Sequence, residues 1–223
     1  MTDNVKTIVW DLPTRLFHWA LVLCVVGLAV TGLVGGGLMT WHFRLGYTVL
    51  SLLLFRLVWG CIGGHWSRFA SFLYSPLAVL RYAKGQAHAH HQVGHNPLGA
   101  LSVIAMLGFL LLQVGSGLIS DDEIASSGPL TKFVSEHTVS LATGYHKNYG
   151  KYVLLLLVLL HLAALVFYAV KKRQNLVAPM LHGHKALPQQ TPASRDDRTS
   201  RIVAAVAFAA CAGAVAAMVT LTA

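Results

Sequence analysis

Polar and apolar residues fall along this chain in long blocks rather than in short periods. Five stretches of about eighteen to twenty residues are almost wholly apolar, and segments rich in His, Lys, Arg, Gly and Pro separate them. A helix needs about twenty such residues to cross a hydrocarbon layer of ~30 Å. The first predicted span runs from about Leu16 to Val34, with Pro13 suited to its start, Arg15 at the flanking interface and Gly35-Gly36-Gly37 behind it. The second runs from about Phe43 to Gly60, preceded by Trp41 and His42 and followed by Gly63-Gly64. A polar connection from His65 to His95 carries Arg68, Arg81 and Lys84. Asn96-Pro97, a helix cap with proline at the first helical position, opens the third span, which ends near Ile119 at Asp121-Asp122-Glu123. The stretch from Ile124 to about Tyr145 reads as a loop holding Gly128-Pro129 and a short surface helix. The fourth span covers Tyr152 to Val170. A Pro/Gln/Arg/Asp-rich linker from Gln174 to Ser200 leads to a fifth, from Ile202 to Leu221.

Composition agrees with this pattern. The chain is 55% hydrophobic and 11% charged, where a soluble domain carries roughly a quarter of its residues as charge. Its mean hydropathy is +0.60. All eight acidic residues lie outside the apolar runs. The net charge of +9 could suggest nucleic acid. The basic residues cluster at span ends instead of forming one stripe, so membrane topology explains them and no nucleic-acid partner is expected. With the N-terminus inside, the inner segments collect Lys6, Arg15, Arg68, Arg81, Lys84, Lys171, Lys172, Arg173, Lys185, Arg195, Arg198 and Arg201, and the outer ones Arg44, Lys132, Lys147 and Lys151. Twelve against four predicts a cytoplasmic N-terminus and a C-terminus on the far side. Cys24, Cys61 and Cys211 sit inside apolar runs without any C-x-x-C spacing, so they read as small buried hydrophobes. Asp11 to Arg15 followed by His18 and Trp19, with no A-x-A site, reads as an uncleaved first span rather than a leader.

The chemistry lies in the histidines. An ionisable ring inside a span is costly and marks function by default. On the fourth span His146 and His161 are fifteen residues apart, which leaves them about 60° apart around a regular helix and roughly 22 Å apart along it. His18 lies in the first span near the cytoplasmic face, and His42 at the outer end of the second. Depth therefore pairs His18 with His161 and His42 with His146. Imidazole on both sides of an iron is a common haem ligation, so the pairs predict two stacked haems. Arg56 projects about 40° from His42 and about 21 Å further in. It would either neutralise a propionate of the inner haem or snorkel to the interface. His88, His90 and His91 read as a solvated loop, and His65, His182 and His184 as loop residues. His137, roughly 36 Å of helix from His161, is too far to share one span with it. His95, directly before the cap of the third span, reads as a surface histidine or a quinone hydrogen-bond donor.

Several ordered motifs carry a resemblance. Trp10-Asp-Leu-Pro-Thr-Arg-Leu-Phe-His-Trp19, His42-Phe-Arg-Leu-Gly46, Phe55-Arg-Leu-Val-Trp-Gly60, Gly94-His-Asn-Pro-Leu-Gly99 and Asn175-Leu-Val-Ala-Pro-Met180 resemble the bacterial cytochrome b561 / nickel–iron hydrogenase b-type cytochrome family over about residues 8 to 183. The resemblance implies an all-α fold, a four-helix transmembrane bundle at 1–183 holding two b haems, with His18, His42, His146 and His161 as axial ligands. It implies electron transfer across the bacterial inner membrane between quinone and a periplasmic cytochrome c or a hydrogenase-like partner, with or without quinol oxidoreductase activity. Residues 184–200 would then be a cytoplasmic linker, and 201–223 a fifth helix beyond the family core whose Ala209, Gly213 and Ala217 form a small-residue ridge. One departure stands out. The family spaces the two histidines of its fourth helix by fourteen, and here the spacing is fifteen. Either the helix is irregular near Asn148-Tyr149-Gly150 or His137 replaces His146. The competing reading is a histidine-lined metal-ion or proton transporter. It is disfavoured because such pathways also recruit intramembrane Asp or Glu, and no apolar run here contains one.

Overall fold

The structure, a computed structural model, describes residues 5–86, 89–121 and 126–222, without the side chains of Ala89 and His90. In chain order it contains β1 (Val5–Ile8), α1 (Leu12–Val34), α2 (Met39–Ile62), α3 (Pro76–Ala83), α4 (Pro97–Leu118), α5 (Glu136–Gly144), α6 (Lys151–Val170), α7 (Val177–His182), β2 (His184–Leu187) and α8 (Arg198–Thr222). The starts follow from local chemistry. Thr14 N donates to Asp11 Oδ1, Gly99 N to Asn96 Oδ1, Ala78 N to Ser75 Oγ and Thr138 N to Ser135 Oγ, each satisfying an orphan donor of a first turn. Five helical stretches among the described residues are long and apolar enough to cross a membrane: Leu12–Val34, Gly36–Ile62, Pro97–Leu118, Glu136–Val170 and Arg198–Thr222. They expose large side chains such as Leu23, Leu33, Leu156 and Val166, as lipid-facing helices do.

The fourth of these departs from the sequence expectation. Helix α5, read as a separate surface helix, runs on through a π-helical turn, Tyr145–Gly150, into α6. Span one also begins four residues earlier than read from sequence, so Arg15 lies within α1. Besides an isolated bridge between Asp121 and Ser127, the paired strands among the described residues form one small ribbon, β1 antiparallel to β2, in register from Val5↔Leu187 to Ile8↔His184. Strands of four residues are too short for an alternating pattern to announce. Gly183, at φ 87, ends α7 and accepts from Val9 N and Trp10 N, turning the chain into this pairing.

The chain divides into two compact units. Unit 1 comprises Met1–His18, Arg56–Ile104 and Leu160–Ala207, and unit 2 comprises Trp19–Phe55, Ala105–Leu159 and Phe208–Ala223. In unit 1, Val9, Trp10, Val93 and Leu187 form a small core with Trp66 and Met180 packed on it. Asp11, with no solvent exposure, accepts from Thr14 N, Trp59 Nε1, Gly64 N and Ser67 Oγ, fastening the start of α1 to the end of α2 and the turn behind it. The 184–200 segment, read as a linker, is built into this unit. Ser194 donates from its backbone to Ile8 O and from its hydroxyl to Val9 O, and Trp66 Nε1 donates to Pro192 O. In unit 2, Phe208 of α8 meets Phe55 of α2 edge to face at 5.9 Å, and Val215 is buried. The Ala209–Gly213–Ala217 ridge is exposed, and nothing approaches Gly213 within 4 Å of a Cβ position.

Candidate functional site: two histidine clusters

Unit 2 brings His42, near the start of α2, against His146 in the π turn. Their ring centroids are 6.1 Å apart and their planes perpendicular. Each ring is held by its Nδ1. The hydroxyl of Thr31 donates to Gly27 O at 2.7 Å, which leaves its oxygen to accept from His42 Nδ1 at 3.1 Å. His146 Nδ1 donates to Gln113 O at 2.8 Å, with Ser116 Oγ at 3.4 Å. These acceptors assign the proton of both rings to Nδ1 and leave both Nε2 atoms as lone-pair donors, the arrangement that orients metal-binding histidines. Glycines make room for both rings. A Cβ on Gly32 would lie 3.1 Å from His42 Cε1, and one on Gly117 would lie 2.8 Å from His146 Cε1. His146 lies within the π turn Tyr145–Gly150, so the helix is irregular in the stretch where the fifteen-residue spacing raised that alternative. Gln113 Nε2 donates to the His146 carbonyl at 3.1 Å, a partner for a backbone group in a turn where the ladder changes register.

Unit 1 gathers His18 of α1, His161 of α6, Arg56 of α2 and His95 from the residue before the α4 cap. His18 lies within electrostatic reach of His161, and His95 within reach of Arg56, His161 and Lys185. The His95 ring packs against both Trp10 and Phe72, each tilted to it with its centroid at 4.6 Å. Phe72 in turn packs on Phe69 at 5.8 Å, and the Arg56 guanidinium stands 4.7 Å over Phe69. Arg56 is only 3% exposed, so it is a buried cation rather than a snorkelling one. Desolvation, and then the nearby Arg56 charge, hold the His95 imidazole far below its ordinary range, so it is neutral at physiological pH. Among the described residues the buried Arg56 NH1 and His95 Nδ1 have no hydrogen-bond partner.

Comparison with known proteins gives these clusters a context. The prokaryotic cytochrome b561 family matches residues 9–183. Relatives described as "Probable Ni/Fe-hydrogenase B-type cytochrome subunit" include one from Rhodobacter capsulatus, 25% identical over 85% of this chain and 82% of the relative, and one from Cupriavidus necator, 27% identical over 80% and 86%. A hydrogenase 1 counterpart with the same style of description, from Escherichia coli K12, is 29% identical over 51% of this chain and 58% of its own. The chain belongs to the prokaryotic cytochrome b561 family. No solved structure matches it. As a member it is an all-α, multi-pass membrane b-type cytochrome, which implies haem b.

The residues present fit that group. Two metal–imidazole bonds of about 2 Å each, with about 1 Å from nitrogen to ring centre on either side, require roughly 6 Å between ring centres. The His42–His146 rings stand at 6.1 Å. In unit 1 the orphaned Arg56 NH1 is the donor that a buried carboxylate would occupy.

Other expectations fared unevenly. His88 lies outside the described residues, as do Asp122 and Glu123. His91 is not solvated: it is buried, edge-on to Tyr74 and Tyr82 at 5.4 and 5.3 Å. His182 and His184 contact each other, with ring centroids 6.0 Å apart. His137 is exposed on α5. Sequence reasoning passed over Asp11, Thr31, Gln113, Gly32 and Gly117. Two of these left traces, Gln113 as an amide inside an otherwise apolar span and Asp11 as an acidic residue two before proline at a helix start.

Proposed function

We propose that this cytochrome is a transmembrane electron-transfer subunit holding two b haems, one ligated by His42 and His146 in unit 2, the other by His18 and His161 in unit 1. The observation that carries this reading is the His42–His146 pair, with ring centres 6.1 Å apart and both Nδ1 atoms already engaged. When bound, haem supplies the one-electron chemistry. The chain's part is to hold each iron between neutral imidazoles, fix ring orientation through Thr31 and Gln113, surround the site with apolar side chains and neutralise buried carboxylate charge with Arg56.

The Lys/Arg asymmetry supports a bacterial inner-membrane protein with the N-terminus cytoplasmic and the C-terminus periplasmic, which puts the unit 1 haem on the cytoplasmic side. We place a quinone site there, at the inner ends of α1 and α4, where Asn96 Nδ2 donates to Tyr168 Oη at 2.8 Å and Tyr168 shares a hydrogen bond with Tyr82 at 3.0 Å. The redox partner on the opposite side is a hydrogenase, in keeping with the descriptions of the relatives, or a periplasmic cytochrome c. The acidic residues Asp121, Asp122 and Glu123 would help dock it, so partner reduction should slow with added salt. Residues 1–183 form the haem-bearing domain and 201–223 an appended helix.

The test is a reduced-minus-oxidised optical spectrum with haem quantified against protein. The expected result is low-spin b-haem bands and two haems per chain. Folded protein that is colourless, with no extractable haem, would remove the electron-transfer reading.

A further inference from the structure

We propose that His95 is a positioning residue for the unit 1 haem, donating from Nδ1 to a propionate that Arg56 also holds, rather than a ligand for quinone. This rests on the two-haem reading above. Arg56 is buried, its guanidinium lies over Phe69, and its NH1 has no acceptor among the described residues. Among the described residues His95 Nδ1 is likewise buried without a partner, and Trp10 and Phe72 both pack tilted against its ring. Phe69 and Phe72 are in contact, so both orphaned donors border one aromatic box.

No carboxylate among the described residues of unit 1 hydrogen-bonds to either donor. Asp11 is the acidic group acting on Arg56, but its two oxygens already accept from Thr14, Trp59, Gly64 and Ser67. Lys185 Nζ donates to the carbonyls of Gln92 and Val93 rather than to a carboxylate. Asp196, another buried acid of this unit, is taken by Arg201 and Arg15. Two unsatisfied donors, one of them on a buried cation, call for an anion with two acceptor oxygens. A propionate is the carboxylate that a haem between His18 and His161 brings with it. A quinone carbonyl is neutral and is a weaker acceptor for a buried guanidinium than a carboxylate.

A carboxylate near the iron favours the ferric state, and donors that draw off its charge raise the potential. His95→Phe keeps a ring between Trp10 and Phe72 but deletes the N–H. The expected result is full haem content, unchanged α-bands and a lower midpoint potential for the component that His161→Ala removes, with the haem-propionate bending band shifted in resonance Raman. Arg56→Gln should lower the same potential, and the double variant should shift less than the two single shifts combined. His95→Gln, which restores an N–H, should recover part of the loss. An unmoved potential in His95→Phe overturns the proposal. If that variant instead lost quinol-driven reduction while its equilibrium potential stayed at the wild-type value, His95 would belong to the quinone. Wild-type protein with no component assignable to His161 would overturn both this proposal and the ligation scheme beneath it.

Discussion

Replacing Gly117 by alanine should remove the unit 2 haem and spare that of unit 1. A Cβ there would lie 2.8 Å from His146 Cε1, 3.1 Å from Nδ1 and 3.5 Å from Nε2. Carbon atoms settle at about 3.5–4.0 Å, so the ring must retreat by roughly 0.7 Å. It has no slack for this, since Nδ1 donates to Gln113 O at 2.8 Å while Gln113 Nε2 holds the His146 carbonyl at 3.1 Å. A retreat of that size would stretch the ring hydrogen bond to roughly 3.5 Å, beyond its useful range. The lost bond costs about 1 kcal/mol, and overpacking adds roughly 1–3 kcal/mol. A metal–nitrogen bond tolerates only about 0.2 Å, so ligation fails before the fold does. Haem per chain should fall from two to one, with one potentiometric component missing. Gly32→Ala, at 3.1 Å from His42 Cε1, should be milder and shift that component without deleting it. Gly213→Ala, in open space, should change nothing. Gly117→Ala with two haems at unshifted potentials would refute the packing argument.

Asp11→Ala leaves several buried donors unsatisfied and uncaps α1, costing at least about 3 kcal/mol. Chemical denaturation followed by absorbance should show the unit 1 haem released at lower denaturant than in the wild type. Deleting Asn148 should close the π turn into regular helix, re-aim His146 and lose the unit 2 haem, whereas His137→Ala should keep both; the haem-to-protein ratio reads either outcome. Burial alone would raise the Asp196 carboxyl, but the hydrogen bond from Arg201 and the nearby Arg15 bring it below its ordinary value. A lowered carboxyl stabilises above the unfolded value, near pH 4, and that contribution fades as pH falls through the folded value. Thermal midpoints of wild type and Asp196→Asn should therefore differ at neutral pH and converge in acid below about pH 4.

The transmembrane helices were legible because twenty-residue apolar blocks have no other use, and the histidine positions because polar rings inside such blocks are conspicuous. What escaped depended on contacts between distant segments. The β1–β2 ribbon is two four-residue strands whose pairing is set by Gly183, some 180 positions from Val5. Gly32 and Gly117 acquire meaning only when a ring from another helix lies against them. The spacing of fifteen did signal an irregularity at 148–150, and the π turn at 145–150 supplies it. Nothing local distinguished His91, buried against two tyrosines, from its neighbours in a polar loop.

The central claim is that the four histidines act as two pairs, and an optical redox titration of four alanine variants tests it most directly. His42→Ala and His146→Ala should lose or convert the same spectral component, and His18→Ala and His161→Ala the other. The two components should titrate at different potentials, since solvent exposure differs with depth. If His42→Ala and His161→Ala instead deleted the same component, or if His146→Ala kept both haems while His137→Ala lost one, the ligand pairing would be contradicted.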